Sequence, residues 1–163
     1  MAATRRFLLR GAGSALAASV TALGLFGTRR AASAEFEVVH SEAEWRRLLE
    51  PNRFEVLRRA ATERPFTSPL NREHRAGVFR CAGCDVELFS AAAKFDSGTG
   101  WPSFWRPLAD AVATEIDRSF GMLRTSVHCR RCGGHLGHVF DDGPRPTGLR
   151  YCINGLALRF EPA

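Results

Sequence analysis

The sequence predicts a mainly β domain: two short N-terminal helices packed on a small antiparallel β unit. Three observations carry that expectation. From Gly77 onward, short apolar runs alternate with a period of two and are separated by Gly or Pro, the pattern of half-buried strands. Before Gly77 the apolar residues recur at helical spacing. Two CxxC pairs, Cys81/Cys84 and Cys129/Cys132, fall in the β part, where one shared metal ion would pin distant strands together.

Residues 1–34 stand apart from this domain. They hold five arginines and no acid, then a small, weakly apolar run, then Ala32-Ser33-Ala34. That is the layout of an export signal cleaved after Ala34. The stretch TRRFLLR (4–10) resembles the twin-arginine signal. The expected organisation is a signal peptide over 1–34 and one domain over 35–163, exported to the periplasm by the twin-arginine route. Gly11, Gly13, Gly24 and Gly27 interrupt the apolar run, which suits a permanent span of about 20 apolar residues poorly. No stable membrane span is therefore expected after cleavage; an uncleaved amphipathic anchor is the bland alternative. The charge follows the same division. The whole chain carries +6, and removal of five arginines leaves 18 basic against 17 acidic residues. Nucleic-acid binding loses its support, because no one-signed stripe remains.

In chain order, Ser41-Glu42-Ala43-Glu44 has the capping-box pattern, followed by Trp45, Leu48 and Leu49 at helical spacing. Pro51 fits a first helical turn, and Phe54, Val56, Leu57 and Ala60 give a second short helix. "ERPFTSPLNREHRAG" (63–77), with its prolines and polar residues, reads as a wrapping loop. The strands are then GVFRC, VELFS, AVATEID, MLRTSVHC, HLGHVF, YCING and ALRF.

The CxxC pairs enclose 44 residues. Each pair forms a knuckle that aims two thiolates at one centre, and two knuckles complete a tetrahedral S₄ site suited to zinc. Gly83, Gly133 and Gly134 supply tight turns, while Arg80, Arg130 and Arg131 can offset the negative charge of the centre. Two disulfides, a redox CxxC and a rubredoxin-like iron share the same residues. No thioredoxin-like βαβ context supports the redox reading, and with zinc or iron alike the four cysteines are expected to be structural.

Cys152 is different. Alone, it reads equally well as a small buried hydrophobe. Its surroundings argue otherwise: "HLGHVFDDGPRPTGLRYCIN" packs His135, His138, Asp141, Asp142, Arg145, Arg150 and Asn154 into the same 20 residues. A nucleophilic thiol needs positive charge or hydrogen-bond donors to favour thiolate, which Arg150 and the histidines can supply. A bend at Gly137 can aim His135 and His138 at one pocket. Either histidine is equally at home in a core, and "DDGP" makes a solvated turn. "DSGTGWPSFW" (96–105) is a shaped apolar loop, either a wall for a small substrate group or a core plug.

Together, "CAGC", "SGTGWPSF", "CRRCGGHLGHVFDDGPRPTGLRYCING" and "ERPFT" resemble the B-type methionine sulfoxide reductases, enzymes acting on methionine-(R)-sulfoxide. The resemblance spans roughly residues 38–161. It implies a β-tent of two small antiparallel sheets, with a structural Cys₄ zinc site remote from the chemistry. It places "ERPFT" on a helix, where composition alone reads loop. It implies that Cys152 is the nucleophile, His138 a proton-transfer residue and Asn154 the partner that orients it. Trp101 and His135, with Phe140 and Arg150, match the substrate pocket, Trp101 facing the methyl group. Oxidised proteins or peptides are then the substrate, and a monomer is the default state. One departure matters. Where many members carry a resolving cysteine in "SGCGWPSF", this chain has Thr99. The implied enzyme works with one cysteine, reduced by a thioredoxin-like protein or a small thiol. The competing reading is a non-catalytic zinc-binding module for a protein partner, in which Cys152 is dispensable and its pocket closed.

Overall fold

The computed structural model describes residues 36–163, so the signal expected over 1–34 lies outside the described residues. Helix α1 (Glu42–Leu48) begins where expected: Glu44 Oε2 accepts from the Ser41 N–H at 2.8 Å, and Ser41 Oγ accepts from the Glu44 N–H at 3.3 Å. These reciprocal bonds satisfy two donors that the first turn leaves open. Trp45 and, just past the helix, Leu49 turn inward, while Leu48 is 61% exposed. Helix α2 (Pro51–Arg59) carries Pro51 at its start and buries Phe54, Val56 and Leu57. Arg53 donates from Nη1 to the carbonyls of Leu156 and Leu158, tying α2 to the C-terminal strands.

α2 stops at Ala60, which is left-handed (φ 54°). "ERPFT" beyond it is irregular, with Phe66 also left-handed (φ 65°). Its placement on a helix is corrected: the left-handed cap and Pro65, which has no N–H to donate, end the helix before it.

All seven expected runs form strands. They are β1 (Gly77–Cys81), β2 (Glu87–Ser90), β5 (Val112–Asp117), β6 (Arg124–Cys129), β7 (His135–Phe140), β8 (Arg150–Ile153) and β9 (Leu158–Pro162). Two more, β3 (Lys94–Phe95) and β4 (Ser103–Phe104), are two residues each, too short for alternation to reveal them. Every pairing is antiparallel, in a three-stranded sheet β2-β1-β9 and a six-stranded sheet β3-β4-β8-β7-β6-β5.

Aromatic rings join the two sheets. Phe104 of the large sheet stacks on Phe89 (centroids 4.4 Å) and meets Phe79 edge-on (4.9 Å), both from the small sheet. All three are fully buried, each contributing about 2–3 kcal/mol through burial. Leu88, Val127, Leu136, Ile153 and Leu158 complete this layer. The consequence for function is register. The core fixes which faces of β7 and β8 point inward, and pairing sets His138 directly opposite Cys152, with Ser103 on its other side.

Candidate active site and metal centre

The metal centre forms where two similar turns meet. In each, the carbonyl of the first cysteine accepts from the N–H four residues on: Cys81 from Asp85, Cys129 from Gly133, both at 2.9 Å. Asp85 and Gly133 are both left-handed (φ 64° and 69°). These turns bring the four sulfurs within 4.8 Å of one another. Cys81–Cys132 and Cys84–Cys129 sulfurs are 3.8 and 3.5 Å apart. A disulfide is about 2.05 Å, whereas a tetrahedral zinc–thiolate site has edges of about 3.8 Å. The four cysteines are free thiols that fit a tetrahedral ion. Of the three arginines expected to offset their charge, Arg131 does so most directly, donating to the Cys84 carbonyl at 3.0 Å. Arg80 is bonded to Glu87 and Glu161 instead, and Arg130 reaches the Val112 carbonyl.

Cys152 lies elsewhere, in the middle of the large sheet. It lines a cavity of about 130 Å³ with Trp101, His138, Phe140, Asn154 and Thr62. A larger cavity of about 550 Å³, lined by Arg53, Ser68 and Leu156 with Glu63, holds no thiol or histidine. Of these two cavities, only the smaller one joins a thiol to an imidazole. Gly137 makes it possible: a Cβ there would collide with the Cys152 carbonyl, so only glycine lets β7 and β8 close at this point. Trp101 is held by its Nε1–H donating to the Glu63 carbonyl at 3.1 Å.

Burial pushes the Cys152 thiol above the ordinary range, with Thr99 and Arg150 pulling the other way. Arg150 thus supplies the positive influence expected of it, against that burial. Thr99 Oγ1 is 3.9 Å from the sulfur. Arg150 is buried, and Asp142 grips it by two bonds of 2.8 Å, from Nε and Nη2. Its guanidinium lies 4.5 Å from the Phe140 ring centroid. Asp142 of the "DDGP" turn is thus an anchor for Arg150 rather than merely solvated.

The histidines divide. His138 lines the Cys152 cavity, and its Nε2 donates to Asp117 Oδ2 at 2.8 Å. Arg124 Nη2 donates to the same oxygen at 2.7 Å. Ser119, His138 and Arg124 together hold the Asp117 carboxyl well below the usual range. His135 instead lines an adjoining cleft of about 400 Å³ that His138 also borders, their rings 5.5 Å apart. Burial pushes His135 down to about 4, so its ring is neutral. Asn154 does not hold His138. Its Oδ1 accepts from the Glu63 N–H at 3.0 Å, and its Nδ2 donates to the Leu136 carbonyl at 3.1 Å. Asp117 takes the role expected of Asn154, because it is the residue that β5–β6 pairing sets beside Arg124.

Sequence reasoning missed Asp117 and Glu63. Asp117 ends a strand, where a carboxylate reads as solvated. Glu63 is nearly buried, accepts from the N–H groups of Gly155 and Leu156, and is pushed above the carboxylate range by burial. Its position in "ERPFT" was its only signal. Through its own backbone it also holds Trp101 and Asn154, so one loop residue braces two walls of the cavity.

The chain matches the SelR domain over residues 49–162. It is 58% identical over 127 residues to a protein of Bradyrhizobium diazoefficiens called peptide methionine sulfoxide reductase MsrB, covering 77% of this chain and 91% of that one. Proteins of the same name from Pseudomonas putida and Agrobacterium fabrum are 55% identical over 120 residues and 52% over 127. They cover 73% and 77% of this chain, and 90% and 94% of their own.

Proposed function

The chain belongs to the MsrB family, SelR-domain oxidoreductases that reduce peptide methionine (R)-sulfoxide, and we propose that Cys152 is its nucleophile in a one-cysteine cycle. The Cys152 thiolate attacks the sulfoxide sulfur. A proton joins the oxygen as the S–S bond between Cys152 and the substrate forms; that S–S bond then breaks, its electron pair going to the methionine sulfur while the hydroxyl passes to Cys152. Oxygen and one proton end on Cys152 as sulfenic acid, and methionine leaves. Two external thiols then become a disulfide, releasing water and restoring Cys152. The role is repair of oxidised proteins. The observation that carries this reading is the sharing of one small cavity by Cys152, Trp101 and His138.

Each residue has a task in it. The Trp101 indole and Phe140 ring form the wall for the methyl group. Arg150 favours thiolate against the burial that opposes it, and Asp142 keeps Arg150 in place. His138, fixed by Asp117, is the proton carrier beside the departing oxygen. Thr99 faces the sulfur with a hydroxyl, which cannot form a disulfide, so the sulfenic acid waits for an outside reductant, a thioredoxin-like protein or a small thiol. The four-cysteine site holds zinc, which fastens the β1–β2 and β6–β7 turns and takes no part in the chemistry. The twin-arginine signal of residues 1–34 makes this an exported, periplasmic enzyme, a point that N-terminal sequencing of the mature protein tests.

The direct test gives the purified protein both epimers of a peptide methionine sulfoxide with a dithiol, beside Cys152→Ser and Thr99→Cys. Consumption of the R epimer alone, lost in Cys152→Ser, is expected. Thr99→Cys should trap an internal disulfide and improve turnover with thioredoxin. An active Cys152→Ser variant would end the proposal.

A further inference from the structure

Strands β5, β6 and β7 carry an unassigned polar row beside the cavity. Ser126 is 5% exposed, and its Oγ lies 2.7 Å from His128 Nε2 and 3.4 Å from His135 Nδ1. Glu115 Oε1 lies 2.9 Å from the same His128 nitrogen. Each group has a limited supply of protons, and that supply orders the row. A carboxylate oxygen only accepts. A lone pair on His128 Nε2 would be repelled by a carboxylate 2.9 Å away, so that nitrogen carries a hydrogen, directed at Ser126. This holds for neutral and charged His128 alike. Ser126 Oγ must then accept from His128, and its single hydrogen is left for His135. His135 is neutral in its buried position, so its Nδ1 receives that bond as a lone pair. Its one proton stands on Nε2.

We propose that Ser126 is a positioning residue that locks His135 in the Nε2–H form, with exposed Glu115 setting the direction of the row through His128. His135 then offers a donor from the nitrogen opposite Ser126, in the cleft that His138 shares. A flipped row would present a lone pair there, which repels a sulfoxide oxygen. This assignment of the donor to substrate rests on the reductase reading; the assignment of the tautomer does not.

The test is ¹⁵N nuclear magnetic resonance of histidine-labelled protein, with His135 assigned from the spectrum of His135→Asn. The wild type is expected to show His135 protonated at Nε2 alone. Ser126→Ala should give mixed tautomers, Ser126→Thr should restore the single form, and Glu115→Gln, whose amide can donate, should admit the flipped row. Turnover of the R-sulfoxide should fall about tenfold in Ser126→Ala, mainly in kcat, and recover in Ser126→Thr. Wild-type His135 protonated at Nδ1, or an unchanged His135 spectrum in Ser126→Ala, would overturn the proposal. A shifted tautomer with unchanged turnover would remove the donor's part in catalysis. Absence of reductase activity in the wild type, with the tautomer as expected, would fault the proposed function instead.

Discussion

The two thiol sites of this chain differ in how they are built. The Cys81/Cys84/Cys129/Cys132 site is assembled from two short turns, each of which supplies two ligands by local geometry. The Cys152 site takes almost every group from a different element: Trp101 from the loop before β4, His138 from β7, and Asp117, which holds His138, from β5. In the first, thiols are surrounded by thiols, and a cation held between them would favour their ionisation. In the second, a lone, half-buried thiol lines a small cavity where burial opposes ionisation and Arg150 and Thr99 partly offset it. The same side chain becomes ligand or nucleophile according to its neighbours.

The largest effect sharpens this division. Cys152→Ser should lower R-sulfoxide reduction at least about a thousandfold, while far-ultraviolet circular dichroism and metal content stay unchanged; bound metal lost along with activity would merge the two sites. Cys81→Ser should do the reverse. It leaves three ligands, and an ion held by the proposed site would contribute a large part of the domain's stability. We expect a loss of about 5 kcal/mol or more in urea unfolding, with metal stoichiometry reduced. A Cys81→Ser protein that unfolds at the wild-type urea concentration would break the view of that site as structural.

Asp117→Asn is expected to cost about tenfold to a hundredfold in kcat, the worth of a charged hydrogen bond, because His138 loses its fixed orientation. An unchanged rate would return the orienting role to another group. The smallest effect is on pH. Since burial raises the Cys152 pKa, its thiolate fraction grows as pH rises, and alkylation by iodoacetamide should reach half its limiting rate above the ordinary thiol value. Arg150→Gln removes the cation that opposes burial and should move that midpoint higher still. A midpoint below the ordinary thiol value would mean that Arg150 and Thr99 outweigh burial after all.

The sequence by itself determined the features that short stretches specify. The CxxC spacing pointed to the four cysteines that the fold brings together, because three-residue separations close two turns whatever the rest of the chain does. Two-residue alternation found the seven longer strands, and Ser41 with Glu44 fixed the start of α1. The motifs that carry the family resemblance marked Cys152 and its cavity neighbours Trp101, His138 and Phe140. Only the tertiary structure decided which residues serve that cavity from a distance. Asp117 lies 21 residues from His138, and Glu63 lies 91 from Asn154. The strands β3 and β4 exist because β8 pairs with β4, not because two residues show a pattern. The tautomer row depends on Ser126 facing His138 across β6 and β7, with a bulge that brings His128 opposite His135. Strand register and loop closure are set by the burial of Phe79, Phe89 and Phe104 between two sheets. A hydrogen bond across such a distance forms only after that packing has brought its partners together, and nothing in the local chain marks it beforehand.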